Sequence, residues 1–198
     1  MPFAETETVV QRSRFLCALY RVDSDAQARE RIAERRRVHW EASHNCTAYV
    51  LDEGRAARSS DDGEPAGTAG VPMLEVLRAR GLTDVLAVVT RYFGGVKLGA
   101  GGLVRAYGSA VSAALDDVAT VELARWPRLS VRVDYTQAGS LEGLLRLRED
   151  VRLAAVDYGS AVVFDLACAD AEILVDWLAS QTAGAAQIVP AGSVRVEL

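Results

Sequence analysis

The chain has 198 residues, half of them hydrophobic, and a formal charge of −5 at neutral pH. This apolar content supports packed cores and excludes a disordered chain, and the length fits one large domain or two small ones. The acidic balance argues against a general, sequence-blind nucleic-acid binder, although it leaves room for a local basic patch.

Cys17, Cys46 and Cys168 lie far apart with no CxxC pair, the usage of reduced thiols in a cytoplasmic protein. The N-terminus lacks a basic stretch followed by a long apolar run, and no 18 consecutive residues are apolar. A cytoplasmic chain without leader, spanning helix or membrane partner is expected.

In chain order, the pattern predicts a strand over Arg14 to Val22. Asp23-Ser24-Asp25 then caps a helix that runs to about Arg37. Arg29, Arg31, Arg35, Arg36 and Arg37 make that helix basic, but Glu30 and Glu34 interleave, so a solvated face is expected. Cys46 to Asp52 reads as a strand. Proline at the first turn opens a helix over Pro72 to Arg80, which Gly81 ends. Val85 to Thr90 is an almost unbroken apolar strand, the pattern of burial on both faces. A glycine loop follows, then a helix from about Leu103 to Val118.

The segment Ala124-Arg125-Trp126-Pro127 reads as the joint between two domains, 1–126 and 127–198. Before Pro127 there are 16 basic and 17 acidic residues; from it onward there are 6 and 10. A basic patch is therefore easier to build on the first domain. The second alternates as a strand over Leu129 to Tyr135, a helix over Gln137 to Asp150, and strands over Val151 to Tyr158 and Ala161 to Ala167. Asp170 caps a helix through Gln181, and Gln187 to Leu198 returns as a strand bent at Pro190. The order βαββαβ is the ferredoxin-like split unit, so the fold class is α+β.

Two segments are candidates for chemistry. The first is the glycine loop, Thr90-Arg91-Tyr92-Phe93-Gly94-Gly95-Val96-Lys97-Leu98-Gly99-Ala100-Gly101-Gly102-Leu103-Val104-Arg105. Lys97 is the only lysine beside 21 arginines, which points to a place where a compact ammonium is preferred over a planar fork. Glycines, a lysine and a following helix make an anion site; a purely structural turn is the rival reading. The nucleotide fingerprints do not fit, because Leu98 follows Lys97, and Val104 fills the last place of the GxGxxG begun by Gly99 and Gly101. Arg91 and Arg105 flank the loop as further cations.

The second candidate is the polar loop from Arg58 to Gly70. Its Asp61, Asp62 and Glu64 suit a hard cation such as magnesium, or else form a solvated turn with Asp62-Gly63 at the tip. Thr68 is a candidate cap for the helix opened by Pro72. His44 and Cys46 share one face of a strand, as a Cys-His nucleophile pair or as a packed strand edge. With His39 as the only other histidine, a zinc site lacks ligands.

The glycine segment, Ser60-Asp61-Asp62-Gly63-Glu64-Pro65 through Gly70, Ser13-Arg14-Phe15, and His44-Cys46-Ala48-Tyr49 together resemble the YigZ/Impact family over roughly Ser13 to Ala114. The resemblance implies a first domain like the second domain of small-subunit ribosomal protein five. It also implies a carboxyl domain like the last domain of translocation elongation factors. Both work on ribosomal RNA, an analogy of fold alone. Eukaryotic Impact proteins regulate translation through a partner of a stress kinase and carry an additional N-terminal domain; this chain begins in the shared domain, so that pathway is not expected here. Some bacterial members have borne dipeptidase labels, but a dinuclear-metal ligand set is missing.

The reading that results is a cytoplasmic binding protein for RNA or the ribosome, in the context of translational regulation. Arg91, Tyr92, Gly94, Gly95, Lys97, Gly99, Gly101, Gly102 and Arg105 form its anion site. Ser60, Asp61, Asp62, Glu64, Thr68 and His44 form a second loop of the same site. No catalytic residue, cofactor or resident metal is assigned. The alternative is a phosphoryl-transfer or hydrolytic enzyme with magnesium at the acidic loop.

Overall fold

A computed structural model describes residues 1–198, which divide into two compact units, Met1–Ala119 and Thr120–Leu198. The first is built in the order β1 (Ala4–Val10), β2 (Ser13–Arg21), α1 (Asp25–Val38), β3 (His44–Leu51), β4 (Ala56–Ser60), α2 (Gly70–Ala79), β5 (Val85–Tyr92) and α3 (Ala100–Asp116). Its five strands form one antiparallel sheet in the order β1-β2-β5-β3-β4.

The apolar run of β5 takes the centre of this sheet. Val85, Ala87 and Val89 share a core with Met73 and Leu77 of α2 and with Tyr107 and Val111 of α3. Leu86 and Val88 point to the other face, into a smaller core with Ala28 of α1. Burial on both sides thus arises in an antiparallel sheet, because helices cover both faces. Each fully buried large side chain contributes roughly 1.5–3 kcal/mol. Helix α1 is capped as its sequence predicts: Ser24 accepts from the Gln27 N–H, and Asp25 opposes Arg35, Arg36 and Arg37 along the helix dipole.

Strands β1 and β4 were absent from the sequence-based expectation. AETETVV alternates half-buried Ala4, Thr6, Thr8 and Val10 with exposed Glu5, Glu7 and Val9, a legible strand pattern, whereas AARSS carries little strand propensity; both lie at sheet edges, beside a stronger neighbour. The predicted starts of β3 and α3 also lie two to three residues late, because His44 and Ala100 already belong to those elements.

The second unit runs β6 (Leu123–Val133), α4 (Tyr135–Arg146), β7 (Val151–Tyr158), β8 (Val162–Cys168), α5 (Ala171–Gln181) and β9 (Gln187–Glu197). Its antiparallel sheet has the order β7-β8-β6-β9, the arrangement of a split βαββαβ unit. Leu129, Val131 and Val133 pack with Leu141, Leu145, Leu174 and Leu178. The joint expected at Pro127 is corrected: Pro127 lies within β6, and the units divide between Ala119 and Thr120. The proline is tolerated because the pairing of β6 with β9 shifts register between Pro127 and Leu129, and proline fits strands at such irregularities.

Candidate functional site

The sheet register sets the site. Across β5, Arg91 stands opposite Phe15 on one side and His44 on the other, on the face covered by α2 and α3. Arg91 and Glu64 of the acidic loop are almost fully buried, with side-chain exposures of 6% and 4% and Nη1 2.6 Å from Oε1. The Tyr107 hydroxyl of α3 donates to the same Oε1 at 2.7 Å. His44 Nε2 lies 3.8 Å away from it. Arg91 also donates from Nη2 to Ser13 Oγ at 3.3 Å, and its guanidinium carbon lies over the rings of Phe15 and Phe93 at 5.4 and 5.5 Å. Glu64 therefore ties the acidic loop to the strand that feeds the glycine loop and to the helix that follows it.

The acidic loop spends its carboxylates internally. Asp61 accepts from the backbone N–H groups of Gly67, Ala69 and Gly70 at 2.8, 3.0 and 2.8 Å. Burial by itself would raise the Asp61 carboxyl, but these three donors outweigh it and hold it below the usual carboxylate range. Asp61 thus serves the first turn of α2 from across the loop. Thr68, the expected cap, instead donates to the Pro65 carbonyl at 2.7 Å. Asp62 accepts from the Asn45 N–H and from Arg36, each at 2.6 Å, while the Ser60 hydroxyl accepts from the Asp62 N–H at 3.3 Å. No three acidic, histidine or cysteine groups converge as a metal-binding set.

The Cys-His pairing is also spent. The Cys46 thiol donates to the Asp61 carbonyl at 2.9 Å, and burial pushes it up to about 12, too high for a nucleophile at neutral pH. His44 Nδ1 lies 2.9 Å from the Asp62 carbonyl. This strand edge is packed and hydrogen-bonded.

The glycine loop divides into support and surface. Gly94 is a close-approach position: a Cβ there would sit 2.1 Å from the Arg12 carbonyl carbon, so the loop can lie on the β1–β2 turn only without a side chain. Its N–H donates to Ser13 Oγ at 3.2 Å. Gly95 and Gly99 adopt positive φ, and Gly99 precedes α3 as its N-cap. Gly101 and Gly102 fall in the first turn of α3. Lys97 and Arg105 are exposed; Arg105 folds back along α3 towards Gly101.

Two residues of the expected anion set are turned away from solvent or from this face. Arg91 is buried on Glu64 rather than presented as a free cation. Tyr92, the next residue in the strand, points to the opposite face, where its hydroxyl meets His39 Nδ1 at 2.9 Å and Arg14 lies over its ring. Lys97 and Arg105 form no ion pair with Asp61, Asp62 or Glu64. Phe93, not singled out from sequence, stands half-exposed on top of Arg91. Its signal was its position: an aromatic one residue beyond a buried strand.

Comparison with known proteins covers both units. Residues 11–115 match the Impact N-terminal domain and residues 131–185 match a domain of unknown function, DUF1949. The IMPACT family member YvyE of Bacillus subtilis is 44% identical over 187 residues, 93% of this chain and 86% of the relative. The IMPACT family member YigZ of Escherichia coli is 36% identical over 167 residues, 83% of this chain and 81% of the relative. A crystal structure of a hypothetical protein superposes with a TM-score of 0.69 at 34% identity, covering 96% of this chain and 95% of the other. With its first unit matched by the family's domain and its length shared with these relatives, the chain belongs to the IMPACT family.

Proposed function

We propose that the chain is a non-enzymatic binding protein for RNA or the ribosome that acts in the cytoplasm in translational regulation. Its contact surface is the loop from Phe93 to Gly102 with the first turns of α3. The observation that carries this reading is the division of charge around Glu64. Arg91 and the three acidic side chains neutralise one another or bond to backbone, whereas Lys97 and Arg105 remain exposed on the loop and helix with no acidic partner. Unpaired cations on an exposed glycine loop suit phosphate, which contributes affinity without sequence reading. Gly95, Gly99 and Gly101 leave that backbone open to close approach, while Gly102 makes room for the Leu98 side chain.

The enzyme reading lacks parts. Both Asp61 and Asp62 have both carboxylate oxygens engaged within the protein, and the Cys46 thiol is buried and hydrogen-bonded. Neither aspartate keeps a carboxylate oxygen free for a cation, and the Cys46 thiol is not activated as a nucleophile.

Co-sedimentation with ribosomes and titration of labelled ribosomal RNA, with the wild type and with Lys97→Ala, test the proposal. Weaker binding by Lys97→Ala is expected in both assays. Equal binding by the two proteins would remove the loop from recognition.

A further inference from the structure

The rings and charges behind Phe93 form a continuous stack from the surface into the core. Phe93 is 50% exposed. Beneath it the Arg91 guanidinium lies 5.5 Å from the ring centroid, and Phe15 lies under that guanidinium at 5.4 Å. Phe15 in turn meets Tyr107 edge-on, with centroids 5.2 Å apart. Glu64 Oε1 holds both Arg91 and Tyr107, and the Phe93 N–H donates to Ser43 Oγ at 3.2 Å. An exposed aromatic side chain is usually mobile, and ordering it opposes binding. Here the ring rests against the Arg91 guanidinium, a cation–π contact that favours one ring position.

Resting on the RNA-binding reading, we infer that Phe93 is a stacking platform for an unpaired nucleobase, whose neighbouring phosphates go to Lys97 and Arg105. An aromatic ring accepts the face of any base, but only one that is not paired within a helix. The site therefore takes single-stranded or looped segments in preference to duplex. The half-open ring shares its loop with exposed Lys97, and exposed Arg105 follows in the helix that the loop enters; an apolar docking face would have no use for these charges. The cation beneath the ring has a further effect: it draws on the electron-rich inner face of Phe93 and leaves the outer face better matched to an electron-rich base.

The test uses fluorescence anisotropy with the full chain and three probes of about 10 nucleotides, a length within the site sizes of single-strand binders. These are a uridine-rich RNA strand, its DNA counterpart and an RNA duplex. Phe93→Leu keeps an apolar side chain but removes the ring, and a thermal melt checks that it folds. The wild type is expected to bind a single strand more tightly than the duplex. Phe93→Leu is expected to lose roughly 5- to 150-fold on the strand, the range of one base–aromatic stack, with an unchanged salt slope. The ratio between the two single strands tells RNA from DNA. A 2-aminopurine placed in the strand should be quenched by the wild type and not by Phe93→Leu. Strand binding that depends on Lys97 but not on Phe93 would overturn the platform and leave the phosphate reading standing. Absence of binding to all three probes and to ribosomal RNA would overturn both.

Discussion

Replacing Glu64 by glutamine removes one charge from the buried centre of the first unit while keeping a carbonyl that still accepts from Tyr107 and Arg91. The magnitude follows from burial. Glu64 and Arg91 have side-chain exposures of 4% and 6%, so solvent cannot screen the guanidinium left behind. Removing one partner of a buried pair costs about 3–5 kcal/mol; the retained acceptor places Glu64→Gln near the low end, about 3 kcal/mol. That is a large part of the roughly 5–15 kcal/mol that holds a domain together. Urea unfolding followed by far-ultraviolet circular dichroism should show an earlier transition for the first unit with an unchanged slope. The double change Glu64→Leu with Arg91→Met should be less destabilised than either single change, because it removes both charges and fills the space. A loss below about 1 kcal/mol for Glu64→Gln, the range of an exposed pair, would refute the claim that this ion pair anchors the two loops.

Three further outcomes follow from particular contacts. Gly94→Ala should destabilise by at least about 1–3 kcal/mol by overpacking, since its Cβ would meet the Arg12 backbone at 2.1 Å. Gly101→Ala, which meets only the Arg105 guanidinium at 3.7 Å, should be neutral or stabilising by up to about 1 kcal/mol; thermal melts of the pair check this. The Asp61 carboxyl lies lower in the folded state than in the unfolded one. Its stabilisation is therefore complete above about pH 4 and is lost as pH falls through the folded value, so Asp61→Asn should flatten the acid limb of a stability–pH curve. Cys17 and Cys46 are both buried, and burial raises each thiol to about 12; a thiol reagent at pH 8 should label them only after denaturant is added.

The sequence disclosed most where pattern and environment coincide. The apolar run of β5 and the alternation of the second unit led to the right elements, because residues such as Val89 and Leu129 are placed by burial alone. Edge strand β4 was hidden, since AARSS takes its order from a neighbour's ladder rather than from its own residues, whereas the alternation of Thr6, Thr8 and Val10 with Glu5 and Glu7 made β1 legible in principle. Pro127 looked like a break because its tolerance in β6 depends on a register shift with β9, a partner more than 60 residues away. In the candidate site, the motif residues were legible as a group, but their roles were not. Whether Arg91 is a free cation or a buried one depends on Glu64, which reaches it from 27 residues away. Asp61 serves α2 through a carboxylate 8 and 9 residues from the Ala69 and Gly70 N–H groups it receives, beyond any local capping rule. Phe93 gained meaning only from the guanidinium beneath it.

The most direct measurement of the central claim is the salt dependence of RNA binding by the wild type and by the double change Lys97→Ala with Arg105→Ala. Three free cations around the loop would have given a slope of log K against log salt of roughly −2 to −3. With Arg91 committed to Glu64, two remain, and the contribution of this loop to the slope should be about −1.4 for a single strand. The double change should reduce the wild-type slope by that amount and weaken binding at low salt most. An identical slope and affinity in the two proteins would contradict the assignment of this loop as the phosphate-binding surface.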